Sequence, residues 1–156
     1  MSKVPITRYG YYRLVKELTY LRRVVRPKVL EELQEARSYG VKLNNQQYLH
    51  ARERHVVLQR KIQDIEEKLA RSEVFVGRKF YFRQAGFGTV IAVLNVDTGQ
   101  AHEYQLVGPY ESDVNNGKLS IESPVGRCLM GRREGDEVAV STPAGVRVYR
   151  ILSIQA

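Results

Sequence analysis

One stretch of this sequence carries a heptad pattern without a fault. Between residues 48 and 69, the residues that would form one helix face recur at alternating steps of three and four. They are Tyr48, Ala51, His55, Leu58, Ile62, Ile65 and Leu69. A seam of this period buries one narrow stripe of a helix against a partner helix. The pattern therefore predicts one arm of a coiled coil, with His55 as a partly buried seam residue.

A second seam precedes this one and is less regular. Thr7 is a candidate N-cap, and the seam after it consists of Leu14, Leu18, Leu21, Val25, Val29, Leu33 and Ala36. Two consecutive steps of four, from Val25 to Leu33, break the heptad, and Pro27 lies in the break. A proline inside a helix removes one backbone hydrogen bond and clashes with the preceding turn. We expect a kink near residues 23–27.

A short loop containing Gly40 joins the two seams, which predicts an antiparallel hairpin. Each arm would be about 40 Å long at about 1.5 Å per residue. A long hairpin suits probing a channel or bridging partners. The alternatives are that it packs back on the rest of the chain or self-associates.

After Ser72 the period of the sequence changes to that of short strands, rich in Val, Ile and Tyr. The predicted strands lie within residues 75–82, 88–96, 101–108, 118–121, 136–142 and 146–154. One short helix is expected at residues 123–131, with Ser123 as N-cap and Pro124 at its first position. The fold class is therefore α+β: a coiled-coil hairpin over residues 1–75, with its tip at about 38–47, followed by a mainly antiparallel sheet domain over residues 76–156.

Positive charge is concentrated in the first half of the chain. Residues 1–73 hold 16 Lys and Arg against 9 Asp and Glu, whereas residues 74–156 hold 9 against 8. The formal net charge of +8 favours an anionic partner. No apolar run reaches the roughly 18 residues that a membrane span needs, and the first ten residues lack the apolar core of a signal peptide. We expect a cytoplasmic protein without membrane contact.

Residues for catalysis or metal binding do not gather in a motif. A nucleophilic enzyme needs a base beside its nucleophile, and no Ser or Cys stands in such a context. The one cysteine, Cys128, and three scattered histidines show no metal-ligand spacing. On chemistry alone we expect a binding protein that is not an enzyme and needs no cofactor.

Three groups of residues occur in an order that is hard to obtain by chance. The first is Thr7, Gly10, Leu14, Glu17, Leu18 and Leu21, followed by Arg26 and Pro27. The second is Tyr48, Ala51, Arg52 and Glu53, followed by Ile62, Ile65, Glu66, Lys68 and Leu69. The third is Ser120, Ile121, Ser123, Pro124, Arg127, Leu129 and Gly131, then GDEV and TPAG. With these residues the chain resembles the Gre family of bacterial transcript-cleavage factors from end to end.

The resemblance implies a fold, a partner and a mechanism. Gre factors dock a C-terminal domain of FKBP-like fold at the rim of the secondary channel of RNA polymerase, and their coiled coil reaches towards the active site. Acidic tip residues there help the polymerase to hold a second magnesium ion and to cut its own backtracked RNA. The resemblance implies that this chain is a monomer that binds RNA polymerase. Its tip residues in the channel would be Val41, Lys42, Leu43, Asn44 and Asn45.

This tip departs from the family pattern where the metal would be held. Val41 stands where the family has an aspartate, Asn44 where it has a glutamate, and Gln47 where it has a third carboxylate. Magnesium prefers anionic oxygen ligands, which valine and amides do not supply. The tip is therefore expected to modulate transcription without stimulating RNA cleavage.

The resemblance also assigns contact residues outside the centre of the tip. Arg37, Lys42 and Arg52 match basic positions associated with the RNA 3′ end, and Glu122, Ser123 and Pro124 match the loop that grips the polymerase rim. The plainer interpretations are a solvated flank for the two arginines and a simple helix N-cap for the loop.

Three other functions stay open at this point. The chain could be a working cleavage factor, with the missing charge supplied by the polymerase or by another of its own residues. Glu35 and Glu53 are the nearest acids, although each lies more than a helical turn from the loop centre. It could be a prolyl isomerase by likeness of fold, although Phe80, Phe82 and Tyr104 look like strand packing. It could also be a free DNA-binding or RNA-binding module, as its charge permits.

Overall fold

Two units of different architecture make up the chain, of which the computed structural model describes residues 3–38, 46–75 and 84–155. The hairpin unit is Tyr11–Arg71, and the sheet unit is Met1–Gly10 together with Ser72–Ala156. The sequence prediction placed residues 1–75 in one hairpin domain. The first ten and the last four of those residues group instead with the sheet unit, because strand β1 (Val4–Ile6) pairs in parallel with strand β2 (Ser72–Val74).

Three α-helices and one π-helical segment form the two arms of the hairpin. The first arm contains α1 (Arg8–Tyr20), the π-helical segment (Leu21–Val25) and α2 (Arg26–Ser38). The second arm is the single helix α3 (Gln46–Arg71). Glu66 of the second arm contacts Arg22 at 2.8 Å, and Arg54 contacts Glu32 at 3.3 Å. Because the early part of one arm contacts the late part of the other, the arms run antiparallel, as predicted.

The π-helical segment lies next to the proline that interrupts the first seam. Pro27 has no N–H to donate to the carbonyl four residues before it, and its ring crowds that carbonyl. The helical turn over Leu21–Val25 contains one extra residue. The Arg26 N–H accordingly donates to the Leu21 carbonyl, five residues back. This segment overlaps the residues 23–27 at which a kink is predicted from the sequence, and its π-helical form is a finding of the structure.

The seam between the arms is buried along the described parts of both helices. One cluster contains Leu18, Leu21, Leu58, Ile62 and Ile65, with Leu14, Val25, Val29 and Leu69 packed around it. A second cluster contains Leu33, Ala36 and Ala51, with Tyr48 packed against it. These are the residues that the heptad pattern selects, and His55 is half-buried among them, as predicted.

Among the described residues of the sheet unit, five strands form a mixed sheet in the order β5-β4-β3-β7-β6. They are β3 (Val90–Asn95), β4 (Ala101–Val107), β5 (Lys118–Ser120), β6 (Glu137–Thr142) and β7 (Gly145–Gln155). All neighbours pair antiparallel except β4 and β5, which are parallel. The α+β class is confirmed, and five of the six predicted strands are present. The remaining one, at residues 75–82, falls almost wholly outside the described residues.

One side of the sheet carries the core of this unit. The short helix α4 (Pro124–Leu129) packs there through Leu129, which is fully buried with Ile91 and Leu106. Ser123 caps α4, because its hydroxyl accepts the Gly126 N–H at 3.1 Å. The predicted helix and its cap are thereby confirmed.

Candidate functional site

The described helices end just before and begin just after the predicted tip. Helix α2 ends at Ser38 and α3 begins at Gln46. The predicted tip residues Val41, Lys42, Leu43, Asn44 and Asn45 lie outside the described residues. The described part of the candidate site therefore consists of the two helix ends, and only the sequence is known for the residues between them.

Small residues line the seam near this end of the hairpin. Ala36 and Ala51 are each 1 % exposed and pack with Leu33. Two alanines in contact allow helix axes to approach more closely than larger seam residues do. The two helix ends beside the tip are thus joined by a seam of small buried side chains.

Two basic residues named from the sequence lie on the surface of this end of the hairpin. Arg37 is exposed in the last turn of α2, with its guanidinium carbon 5.8 Å from the centre of the Tyr48 ring on the opposite arm. This is within the range of a cation–π contact. Arg52 is also exposed, on the second turn of α3. Both guanidinium groups are accessible to an anion such as a phosphate.

The acids nearest to the tip lie further back on the helices. Glu35 is exposed, three residues before the end of α2, and Glu53 is exposed, seven residues after the start of α3. Seven helical residues correspond to about 10 Å along the axis. No carboxylate occurs between these two residues in the sequence. The tip is thus flanked by cations and has its acids set back.

The predicted docking loop has a rigid frame and exposed side chains. The Ser123 hydroxyl donates to the Ser120 carbonyl at 2.6 Å, and the Ser120 hydroxyl accepts the Glu122 N–H at 3.1 Å. Gly126 lies so close to the Ser120 carbonyl that a Cβ would overlap it. Glu122 and Pro124 are exposed on this frame. The loop presents a carboxylate and a proline ring in a fixed arrangement.

Of the three aromatic residues considered for an isomerase pocket, the structure describes only Tyr104. Phe80 and Phe82 lie outside the described residues. Tyr104 packs against the sheet core, and the His102 ring stacks on it with centroids 5.9 Å apart. Burial raises the pKa of Tyr104 above its ordinary value, Tyr149 adds to the rise, and Arg147 opposes it. Tyr104 behaves as a packing residue, as the sequence indicated.

One well-connected polar residue, Glu111, has no local sequence signal. Its carboxylate accepts the Thr7 N–H at 2.8 Å and also the Thr7 hydroxyl, across 104 residues of chain. Thr7 caps α1 as predicted, because its hydroxyl accepts the Gly10 N–H at 3.0 Å. Glu111 follows no motif and no period, so only the folded chain reveals its role.

Residues 3–38, 46–75 and 84–155 contain neither a metal-binding cluster nor a membrane-spanning helix. No group of three or more His, Cys, Asp and Glu in these ranges could hold a metal ion. No helix formed by them is long and apolar enough to cross a membrane.

Two family models match the chain, one on each half. The model described as "Transcription elongation factor, N-terminal" matches residues 4–74, and the model described as "Transcription elongation factor, GreA/GreB, C-term" matches residues 83–156. The matched residues include both helix ends beside the tip and the loop of residues 122–124.

Proteins named "Transcription elongation factor GreA" are similar to the chain over almost its whole length. Those of Syntrophobacter fumaroxidans and Caulobacter vibrioides are each 40% identical over 155 residues, covering 99% of both chains. Among solved structures, GreA factor homolog 1 (Gfh1) of Thermus thermophilus is 26% identical and covers 99% of both chains, with a TM-score of 0.44.

Proposed function

Because the chain belongs to the GreA/GreB family of transcription elongation factors, we propose that it binds RNA polymerase, inserts its hairpin into the secondary channel and modulates transcription without stimulating RNA cleavage. One observation carries the second part of this proposal. Residues 36–52, which include the whole tip and both helix ends beside it, contain no carboxylate. The polymerase supplies the catalysis, and this chain supplies a surface in the channel.

The tip chemistry is unsuited to recruiting a magnesium ion. Magnesium requires near-octahedral oxygen ligands and usually one or two carboxylates. Asn44 and Asn45 offer uncharged amide oxygens, and Val41 offers none. Lys42, Arg37 and Arg52 add positive charge, which opposes the approach of a dication.

The same charges favour contact with RNA. Arg37 and Arg52 are exposed on the two helix ends that flank the tip. Arginine and lysine bind phosphate without reading the sequence, and salt weakens this binding. The tip therefore suits contact with an RNA 3′ end.

Docking at the channel rim is assigned to the loop of Glu122, Ser123 and Pro124. The hydrogen bonds around Ser123 hold this loop in one conformation before any partner arrives. A preformed loop loses little conformational entropy when it binds. This supports a docking role beyond that of a helix cap.

A transcript-cleavage experiment tests the proposal. A backtracked RNA polymerase complex is incubated with the wild-type protein, with Val41→Asp plus Asn44→Glu, or with a control, Val57→Asp plus Gln59→Glu. The control adds the same two charges on α3, away from the tip, where Val57 is 57 % exposed. We expect wild type and control to bind without cutting and the tip variant to cut.

Cleavage by the wild-type protein would overturn this proposal. A second function would then take its place, since the relatives at 40% identity are named GreA. In that case the missing charge would come from the polymerase or from another residue of the chain, of which Glu35 and Glu53 are the acids nearest to the tip. Replacing both by alanine separates these sources: a loss of cleavage would assign the charge to them, and unchanged cleavage would assign it elsewhere.

A further inference from the structure

The first turn of α1 is capped by a residue from another part of the chain. In the usual capping box, the side chain three positions after the N-cap reaches back to accept the N-cap N–H. In α1 the N-cap is Thr7, and the third position after it is Gly10, which has no side chain. Glu111 accepts the Thr7 N–H instead, at 2.8 Å. The capping box is therefore completed by a residue that is distant in the sequence.

Gly10 makes room for this arrangement. A Cβ at Gly10 would overlap the carboxyl group of Glu111. Glycine costs a helix about 1 kcal/mol relative to alanine, so its presence in the first turn opposes helix formation unless the space is used. Here the Glu111 carboxylate uses it.

The Glu111 carboxylate is itself held in place. It ends a 3₁₀ turn (Pro109–Glu111), and the same oxygen that accepts the Thr7 N–H also accepts the Gly108 N–H at 3.3 Å. Gly108 packs so tightly against the Pro5 carbonyl that a Cβ would overlap it. The carboxylate is therefore fixed by the sheet unit, and the cap of α1 is fixed by the carboxylate.

A second contact holds the same helical turn. The Lys118 ammonium lies 4.5 Å from the centre of the Tyr9 ring, within cation–π range. Thr7, Tyr9 and Gly10 all belong to the sheet unit, and the chain enters the hairpin unit at the next residue, Tyr11. The fixed turn is thus the last part of the sheet unit before the hairpin begins.

We propose that Glu111 is a positioning residue for polymerase binding: by completing the cap of α1, it fixes the residues from which the chain enters the hairpin unit. This inference rests on the proposed function. A disordered entry point would have to be ordered when the protein binds RNA polymerase, and ordering backbone and side chains weakens binding. Glu111 removes that cost in the free protein.

The test uses full-length variants that break the cap in different ways. Glu111→Ala removes both acceptors, and Thr7→Val removes the hydroxyl but keeps the backbone N–H. Thr7→Ser keeps every hydrogen bond and serves as the conservative variant. Glu137→Ala is the matched control, because Glu137 is an exposed sheet-unit glutamate paired with Arg150 at 2.6 Å. Val138→Ala controls for loss of stability, because it weakens the sheet core and leaves the cap intact.

Three quantities are measured for each variant: hydrogen exchange of the Thr7 and Gly10 amides, the midpoint of thermal unfolding, and affinity for RNA polymerase in competition with labelled wild-type protein. We expect Glu111→Ala to raise exchange at these amides about tenfold, as befits a lost charged hydrogen bond, and to weaken polymerase binding several-fold. Thr7→Val should act in the same direction and add little to Glu111→Ala, because the two groups form one unit. Thr7→Ser, Glu137→Ala and Val138→Ala should bind like the wild type.

Two results would overturn the inference. One is faster amide exchange in Glu111→Ala with polymerase affinity equal to that of Glu137→Ala. The other is an equal loss of affinity in Val138→Ala, which would assign the effect to stability. If Glu111→Ala does not fold, Thr7→Val decides the question by the same readouts. If the wild-type protein itself does not bind polymerase, the proposed function fails rather than the role of Glu111 in the cap.

Discussion

The hairpin unit and the sheet unit protect their buried side chains to different degrees. In the sheet unit, Ile91, Leu106 and Leu129 are 0 % exposed, whereas Leu18 and Leu33 in the hairpin seam are 7 % and 9 % exposed. A pair of helices encloses its seam from two sides only, while a sheet covered by a helix encloses a true interior. The hairpin is thus held together by small clusters of contacts along its seam and not by one enclosed core. We expect the hairpin to open locally at a lower free energy than the sheet.

A cavity in the hairpin seam should have the largest effect on the difference in stability between the two units. Ile62 is 2 % exposed and central to the larger seam cluster. Ile62→Ala should destabilise the hairpin by about 3 kcal/mol, through lost burial and the cavity left behind. Hydrogen exchange should then show faster exchange in α3 and unchanged exchange in the sheet strands.

Val57→Ala is the matched control for the cavity, since Val57 lies on the same helix and is 57 % exposed. It should change stability by less than about 0.5 kcal/mol. Equal loss of protection in both units after Ile62→Ala would contradict the contrast and show that they unfold as one.

A glycine substitution at the last residue of the sheet unit before the hairpin should change stability in the direction opposite to that expected in an isolated helix. In an isolated helix, Gly10→Ala would stabilise by about 1 kcal/mol. Here the new Cβ overlaps the Glu111 carboxyl group, so we expect a loss of about 1 kcal/mol, measured by urea denaturation. In a Glu111→Ala background the same change should become favourable, and a loss of stability there would refute the steric explanation.

Alkaline titration tests the sheet unit alone. Burial holds the pKa of Tyr104 above its ordinary value of about 10. A group with a raised pKa in the folded state contributes stability that is complete below the unfolded pKa and is lost as the pH rises through the folded pKa. Wild-type stability should therefore fall above about pH 10, and Tyr104→Phe should make that fall shallower. Identical pH profiles for the two proteins would remove Tyr104 as a contributor.

The smallest effect concerns an ion pair between the arms. Arg22 and Glu66 meet at 2.8 Å, and both side chains are almost half exposed. Exposed pairs contribute about 0–1 kcal/mol and are screened by salt. Glu66→Gln should lower the midpoint of thermal unfolding only slightly, and the difference should vanish in about 1 M salt, where screening is strong. A difference that persists in high salt would mean that packing by the Glu66 stem, not its charge, matters.

The seam, most strands and the cap of α4 were predictable because each has a local signal. A heptad repeat selects Leu58 and Ile62 without knowledge of the partner arm, and the Ser-Pro pair at residues 123–124 marks a helix start. The position of the π-helical segment was predictable from Pro27, since proline prohibits one hydrogen bond. How the chain relieves that loss depends on packing across the seam, which no local pattern specifies.

Two features were not predictable: the completion of the α1 cap by Glu111, and the grouping of the first ten residues with the sheet unit. Strands β1 and β2 have three residues each, too few for a period, and they pair across almost 70 residues of chain. Glu111 contacts Thr7 across 104 residues. The tip residues Val41 to Asn45 remain predictions, because they lie outside the described residues. Local propensity identifies elements, whereas contacts of this kind arise only when elements meet.

The hairpin is an insertion between two short strands, β1 and β2, that pair with each other. The chain leaves one strand of this small ribbon at Ile6 and returns to the neighbouring strand at Ser72, which lies beside Val4. Equal insertions or deletions of seven residues in both arms would keep the seam in phase and change its length by about 10 Å each. The ribbon would not be disturbed by such a change. The length of the hairpin could therefore change, in evolution or by protein engineering, while the pairing of β1 with β2 is kept.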